Sequence, residues 1–151
     1  MSGVQSSTLF ITQVVFYKDI VIKTVKTSLK VVLGIALIVA GLNHFRSVDF
    51  YLRMMPPYLP WHLELVYISG VAEILLGILL LVRQTSAIAA WGIIALLIAV
   101  FPANLQMALE PDQFPNIPEI ALWLRLPLQA VLIAWAYWYT RSPSRRNIHH
   151  P

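Results

Sequence analysis

The amino-acid sequence predicts an all-α, polytopic membrane protein: a four-transmembrane-helix antiparallel bundle with N-in/C-in topology. Three observations carry this reading. Of 151 residues, 58% are hydrophobic and only 12% charged, against about one quarter charged in a soluble domain, and mean hydropathy is +0.70. The apolar residues arrive in four runs near the length that crosses about 30 Å of hydrocarbon. Lysine and arginine gather on one side of those runs.

Residues 1–26 read as a cytoplasmic or interfacial segment. The stretch from Leu9 to Tyr17 is apolar but too short to span, and Lys18, Lys23, Lys26 and Lys30 follow it. A secretory signal would begin with a basic region, which residues 1–17 lack. The membrane domain then occupies residues 27–140, with spans at about 27–45, 61–82, 86–109 and 119–140. Pro56, Pro57 and Pro60 interrupt the chain between the first two spans, and Pro111, Pro115 and Pro118 between the last two. A tight turn from Arg83 to Thr85 joins the middle pair. Residues 141–151 form a basic cytoplasmic tail, whose His149 and His150 read as solvated.

Lys18, Lys23, Lys26, Lys30, Arg83, Arg141, Arg145 and Arg146 fall on the side shared by the termini and the short turn, while the opposite loops hold Arg46 and Arg53. Both termini are therefore expected in the cytoplasm. Trp135, Tyr137, Trp138 and Tyr139 would form an inner aromatic belt, with Tyr58, Trp61 and Trp123 at the outer one.

Polar groups inside the spans are the functional signal. Glu73 falls near the middle of the second span, where an ionised carboxylate costs at least about 2.5 to 3.5 kcal/mol. Gly70, Glu73 and Gly77 share a helix face that another helix can approach closely, so the carboxyl should point into the bundle. Arg125 and Gln129 share a face of the fourth span, and Arg125 is the expected partner of Glu73, with Glu64 as competitor. Pro102 and Pro127 free the carbonyls of Ile98 and Trp123 from their helical donors. Asn104, Gln106, Gln129 or Arg125 would supply replacements. With His44 at the end of the first span, Glu73, Pro102, Asn104, Arg125 and Gln129 make the expected ligand or ion-pair chamber. One reading of this cluster is a device that fixes helix register, and the other is a ligand or proton site. The small residues Gly34, Gly41, Gly92, Ala95, Ala99 and Ala103 serve packing either within one bundle or between bundles, which leaves a homo-oligomer open.

Several functions are excluded. No cysteine is present, so thiolate catalysis, disulfide exchange and Cys-ligated zinc or iron–sulfur centres fall away. No metal set, dinucleotide fingerprint or serine elbow appears, and no catalytic residue is assigned. The basic residues flank apolar spans instead of forming a patch, so the partner is the lipid bilayer and not nucleic acid.

The residues Gly41 to Phe45, Leu59 and Pro60, Ser69 to Glu73, Phe101 to Asn104 and Arg125 to Gln129 together resemble the DoxX family of small bacterial membrane proteins, over about residues 28–140. The resemblance implies a four-helix bundle of the bacterial inner (plasma) membrane, multi-pass. Some members of that family are linked to redox systems. It therefore implies a non-catalytic accessory or anchoring subunit, with a quinone as cofactor and a redox enzyme as partner. A small proton-coupled transporter using Glu73 is the alternative, because a buried carboxyl can alternate between a proton and a cation. A quinone-linked oxidoreductase subunit with activity of its own is the third.

Overall fold

The computed structural model describes residues 2–141, with side chains from residue 13 onward. Arg145, Arg146, His149 and His150 lie outside the described residues. Five α-helices are present among them: α1 (Ser2–Arg46), α2 (Val48–Met54), α3 (His62–Leu81), α4 (Ser86–Leu109) and α5 (Glu119–Tyr137). No strand occurs among these residues. Four of the helices, α1 from Gln13 onward, α3, α4 and α5, are long and apolar enough to cross a membrane.

The helix continues without a break from the expected N-terminal segment, residues 1–26, into the expected first span. α1 runs through 45 residues, a length of about 68 Å at 1.5 Å per residue. The lysines lie on a helix that is already formed, and apolar residues between them, such as Phe16, Tyr17 and Ile22, are exposed. The proline-rich connection after α1 also holds more order than expected. α2 folds there, Trp61 adopts a left-handed φ of 55° before α3 begins, and the His62 ring meets the Pro56 carbonyl at 3.1 Å.

α1 and α3 pack closest, and glycine sets how close. A Cβ on Gly41 would lie 2.5 Å from the Gly70 carbonyl oxygen, and one on Gly77 would lie 2.7 Å from the Gly34 oxygen. The reciprocal pairs Gly34 with Gly77 and Gly41 with Gly70 make the two helices antiparallel, and both pairs recur after seven residues, two helical turns. These glycines therefore serve packing within one bundle. Gly92 is different: a Cβ there meets only the mobile tip of Leu76. Ala95 and Ala99, expected on the same packing stripe, are exposed.

Two apolar clusters close the ends. Leu33, Leu80, Ala89, Ala90, Ile93 and Ala136 pack at the end that holds the α3–α4 turn. Met54, Met107, Ala108, Phe114 and Leu122 pack at the other, where α2 covers α4 and α5. Tyr139, expected in an exposed belt, is buried instead. Its hydroxyl donates to the Lys26 carbonyl at 3.0 Å and so ties the end of α5 to α1. Trp138 and Tyr137 remain exposed, as do Tyr58, Trp61 and Trp123.

The contrast among the glycines gives a test. Gly41→Ala should destabilise the detergent-solubilised protein by about 1 to 3 kcal/mol, because backbone must move to admit the methyl. Gly92→Ala should be neutral or stabilising by up to about 1 kcal/mol through helix propensity. Thermal unfolding of the two variants decides, and equal losses would rule out the close approach.

Candidate functional site

The site begins at the last turn of α1, where His44 is turned toward α3. Gly70 makes the space: a Cβ there would lie 2.7 Å from the His44 Cβ. Glu73 follows three residues later on the same face of α3. The His44 Nδ1 lies 2.9 Å from the Val66 carbonyl oxygen. That oxygen can only accept, so Nδ1 carries a hydrogen. The Ser69 hydroxyl donates to the same carbonyl at 3.0 Å, and its oxygen sits 3.2 Å from Nδ1.

With Nδ1 occupied in this way, Nε2 is the ring atom left for Glu73, whose Oε2 stands 3.7 Å away. Oε2 is buried and has no hydrogen-bond partner. The pair has a definite chemistry. A neutral imidazole presents a bare Nε2, so one further proton resides either on the carboxyl or on the imidazolium, and both forms are neutral as a pair. Removal of that proton leaves an uncompensated carboxylate between helices.

Tyr51 of α2 stacks on the His44 ring, with centroids 3.7 Å apart and planes 25° from parallel. Its hydroxyl accepts from Asn43 Nδ2 at 3.1 Å, and Ser47 donates to Asn43 Oδ1 at 3.4 Å. Burial pushes the Tyr51 phenol up, opposed by the Asn43 hydrogen bond; the Glu73 carboxylate pushes it up as well, and Arg125 acts against it. Tyr51 also lines an open groove of about 840 Å³ along α1, with Val32, Ile35, Ala36, Asn43 and Arg46. The tyrosine therefore borders both the groove and the His44 ring.

A second polar cluster lies between α4 and α5. Asn104 Nδ2 donates to Gln129 Oε1 at 3.1 Å, and Gln129 Nε2 donates to the Leu97 carbonyl. The expected donor is thus in place beside the Pro102 kink, but it serves the carbonyl one residue before the one that Pro102 frees. Gln129 is buried, whereas Pro102, Asn104 and Arg125 are partly exposed.

The predicted residues fall into separate groups. His44 and Glu73 meet across α1 and α3, while Asn104 and Gln129 meet beside Pro102. The expected Glu73–Arg125 ion pair is not formed. The Gly70 face brings α1 against Glu73, α5 packs on α4, and the Arg125 guanidinium lies 6.0 Å from the Phe50 ring. Glu64 forms no ion pair either: among the described residues, His44 with Glu73 is the contact that qualifies. Sequence reasoning missed Tyr51, Asn43 and Ser69 as site residues. Ser47 followed by Asp49 was the available signal, a helix start inside the proline-rich loop that would have placed Tyr51 one turn in. No group of three or more His, Asp or Glu side chains placed to hold a metal ion occurs among the described residues.

Fold and site together define an all-helical protein with four helices of membrane-crossing length and a carboxylate–imidazole pair enclosed between two of them. The chain belongs to the family of the domain of unknown function DUF8561, whose model matches residues 33–140. That match overturns the resemblance to the DoxX family, and the redox, quinone and redox-partner associations lose their footing with it. The short motifs behind the resemblance serve helix contacts in this chain: Gly41 and Gly70 hold α1 against α3, and Gln129 meets Asn104 between α4 and α5. No curated protein and no solved structure matches the chain.

Two stability measurements follow. In a double-mutant cycle, His44→Ala and Glu73→Gln should couple by about 0.5 to 3 kcal/mol, whereas Arg125→Gln and Glu73→Gln should add to within about 0.5 kcal/mol. Gln129→Leu should cost about 1 to 3 kcal/mol, because Asn104 and the Leu97 carbonyl lose a buried partner. A Gln129→Leu protein as stable as the parent would remove the α4–α5 cluster from the packing account.

Proposed function

We propose that this chain is a small multi-pass protein of the bacterial inner membrane, with both termini cytoplasmic, that acts as a proton-coupled carrier for a small cation. The observation that carries the reading is the enclosed His44–Glu73 pair, with Glu73 Oε2 buried and lacking a hydrogen bond. An intramembrane carboxylate that loses its proton costs at least about 2.5 to 3.5 kcal/mol unless another cation takes the proton's place. Proton and cation thus compete for one carboxylate, and release of one accompanies binding of the other. The groove along α1 supplies an approach, with Tyr51 between the groove and His44 as the ring that must yield.

The orientation is supported by the charges at the helix ends. Lys23, Lys26, Lys30, Arg83 and Arg141 share the end with the α3–α4 turn, and Arg46 and Arg53 lie at the other. A second reading, an accessory or anchoring subunit, is favoured by the exposed apolar residues from Val14 to Val25 on α1. Those side chains need a partner or the bilayer surface, and a carrier does not require them.

The test is proton movement in proteoliposomes that contain the purified protein and a trapped pH indicator. A gradient of a small organic cation should drive counterflow of protons, and Glu73→Gln should abolish it. Tyr51→Phe should retain it, since the ring remains. Counterflow unchanged by Glu73→Gln would remove the carrier reading and leave the accessory one.

A further inference from the structure

The end of the bundle that holds the α3–α4 turn contains a cleft of different chemistry. It has a volume of about 610 Å³ and is lined by Lys23, Lys26, Lys30, Arg83 and Arg141. Three separate parts of the chain converge there. The lysines stand at i, i+3 and i+7 on one face of α1, Arg83 sits in the turn between α3 and α4, and Arg141 follows α5. None of the five is in an ion pair among the described residues. Of the seven acidic residues, Asp19 alone belongs to this end; Glu73 is inside, and Asp49, Glu64, Glu110, Asp112 and Glu119 cluster at the other.

Positive-end topology accounts for cations that flank spans, but not for five of them, none in an ion pair among the described residues, around one concavity. Like charges so placed repel, and an anion among them turns the repulsion into binding. The wall also includes Ser86 and Ala87 at the start of α4. The Thr85 hydroxyl donates to the Leu79 carbonyl and makes no helix cap, so the first amides of α4 lack a side-chain acceptor. Beside the cleft the surface is apolar: Val31 and Val32 on α1 and Ile88 on α4 are exposed, Ile88 by 75%. The Lys26 ammonium lies 5.6 Å from the ring of Trp138, an exposed aromatic side chain of the kind that marks a lipid headgroup level.

We propose that this cleft binds the phosphorylated headgroup of an anionic membrane lipid, with its acyl chains along the exposed faces of α1 and α4. Five cations with one acid nearby suit a headgroup that carries more than one phosphate. The proposal rests on the membrane-spanning reading above, and it is independent of proton exchange at His44 and Glu73.

The experiment is native mass spectrometry of the full chain in mild detergent with equimolar phosphatidylcholine and diphosphatidylglycerol, and with pyrophosphate in a parallel sample. Diphosphatidylglycerol should be retained over phosphatidylcholine by about tenfold or more. The double variant Lys30→Gln with Arg83→Gln should lose that preference, while Arg53→Gln at the opposite end should keep it. Because the double variant can also alter stability, the thermal shift given by diphosphatidylglycerol to Arg83→Gln alone is the second reading, and it should shrink relative to the parent. No headgroup preference, or one indifferent to both variants, overturns the proposal. Pyrophosphate binding without lipid preference assigns the cleft to a soluble anion and overturns it as well. Glu73→Gln should retain the lipid, so failure of the carrier reading and failure of this one are separately visible.

Discussion

The close approach of α1 and α3 is the contact on which the rest of the structure depends. Four of the six glycines lie in it, paired so that each faces a backbone carbonyl of the other helix. In a bilayer, apolar side chains gain nothing by leaving lipid for one another, so helix association rests on van der Waals contact and on polar groups. Removal of the side chains lets the two backbones meet along two turns. It also fixes the register, since a slip of one helical turn would drive Ile38 or Ile74 into the space that only a glycine leaves open. His44 meets Glu73 because Gly41 and Gly70 hold that register, and Tyr51 reaches His44 because α2 folds back directly after α1.

The polar interior follows from the same geometry. A carboxylate near mid-span would be expected to seek the strongest cation, and Arg125 is available on α5. The helix that can come nearest wins instead. α1 sits at glycine distance from Glu73, α5 packs on α4, and a histidine that is neutral when unprotonated can be buried there without carrying a permanent charge inward. An arginine in that place would fix an ion pair with no spare proton. With histidine, the pair gains or loses a proton as a unit.

Much of this was legible in the sequence because apolar runs of membrane-crossing length restrict the answers. Four apolar runs bounded by prolines and lysines admit little besides four helices, and the polar residues among them had to turn inward. Glu73 and Gln129 were found in that way. What the sequence did not reveal was partner choice. Helical spacing shows which residues share a face but not which helix that face meets, so reach alone pairs Glu73 with Arg125, and His44 enters the expected chamber with no partner assigned. The seven-residue α2 was invisible because a short amphipathic turn inside a proline-rich segment has too few residues for periodicity to register. Tyr139 was misplaced for a related reason. Aromatic residues at a span end suit an interface belt by composition, and only the approach of Lys26 shows that this one closes the bundle.

The two halves of the bundle differ in a way that bears on how a proton could move. Around the α3–α4 turn, Leu80, Ala89, Ala90 and Ala136 are fully enclosed, and Tyr139 clasps α1. In the half that contains His44, Glu73 Oε2 has no hydrogen bond, and the Tyr51 ring stands between His44 and an open groove. In the carrier reading proposed above, the pair exchanges its proton through the His44 end, where the Tyr51 ring borders the groove. The same reading would have Ala89, Ala90 and Ala136 separate to open the other end, while the α1–α3 contact, which runs through both halves, stays closed. The glycine pairs join the two backbones along both halves, so any such opening falls to the α3–α4 and α4–α5 contacts.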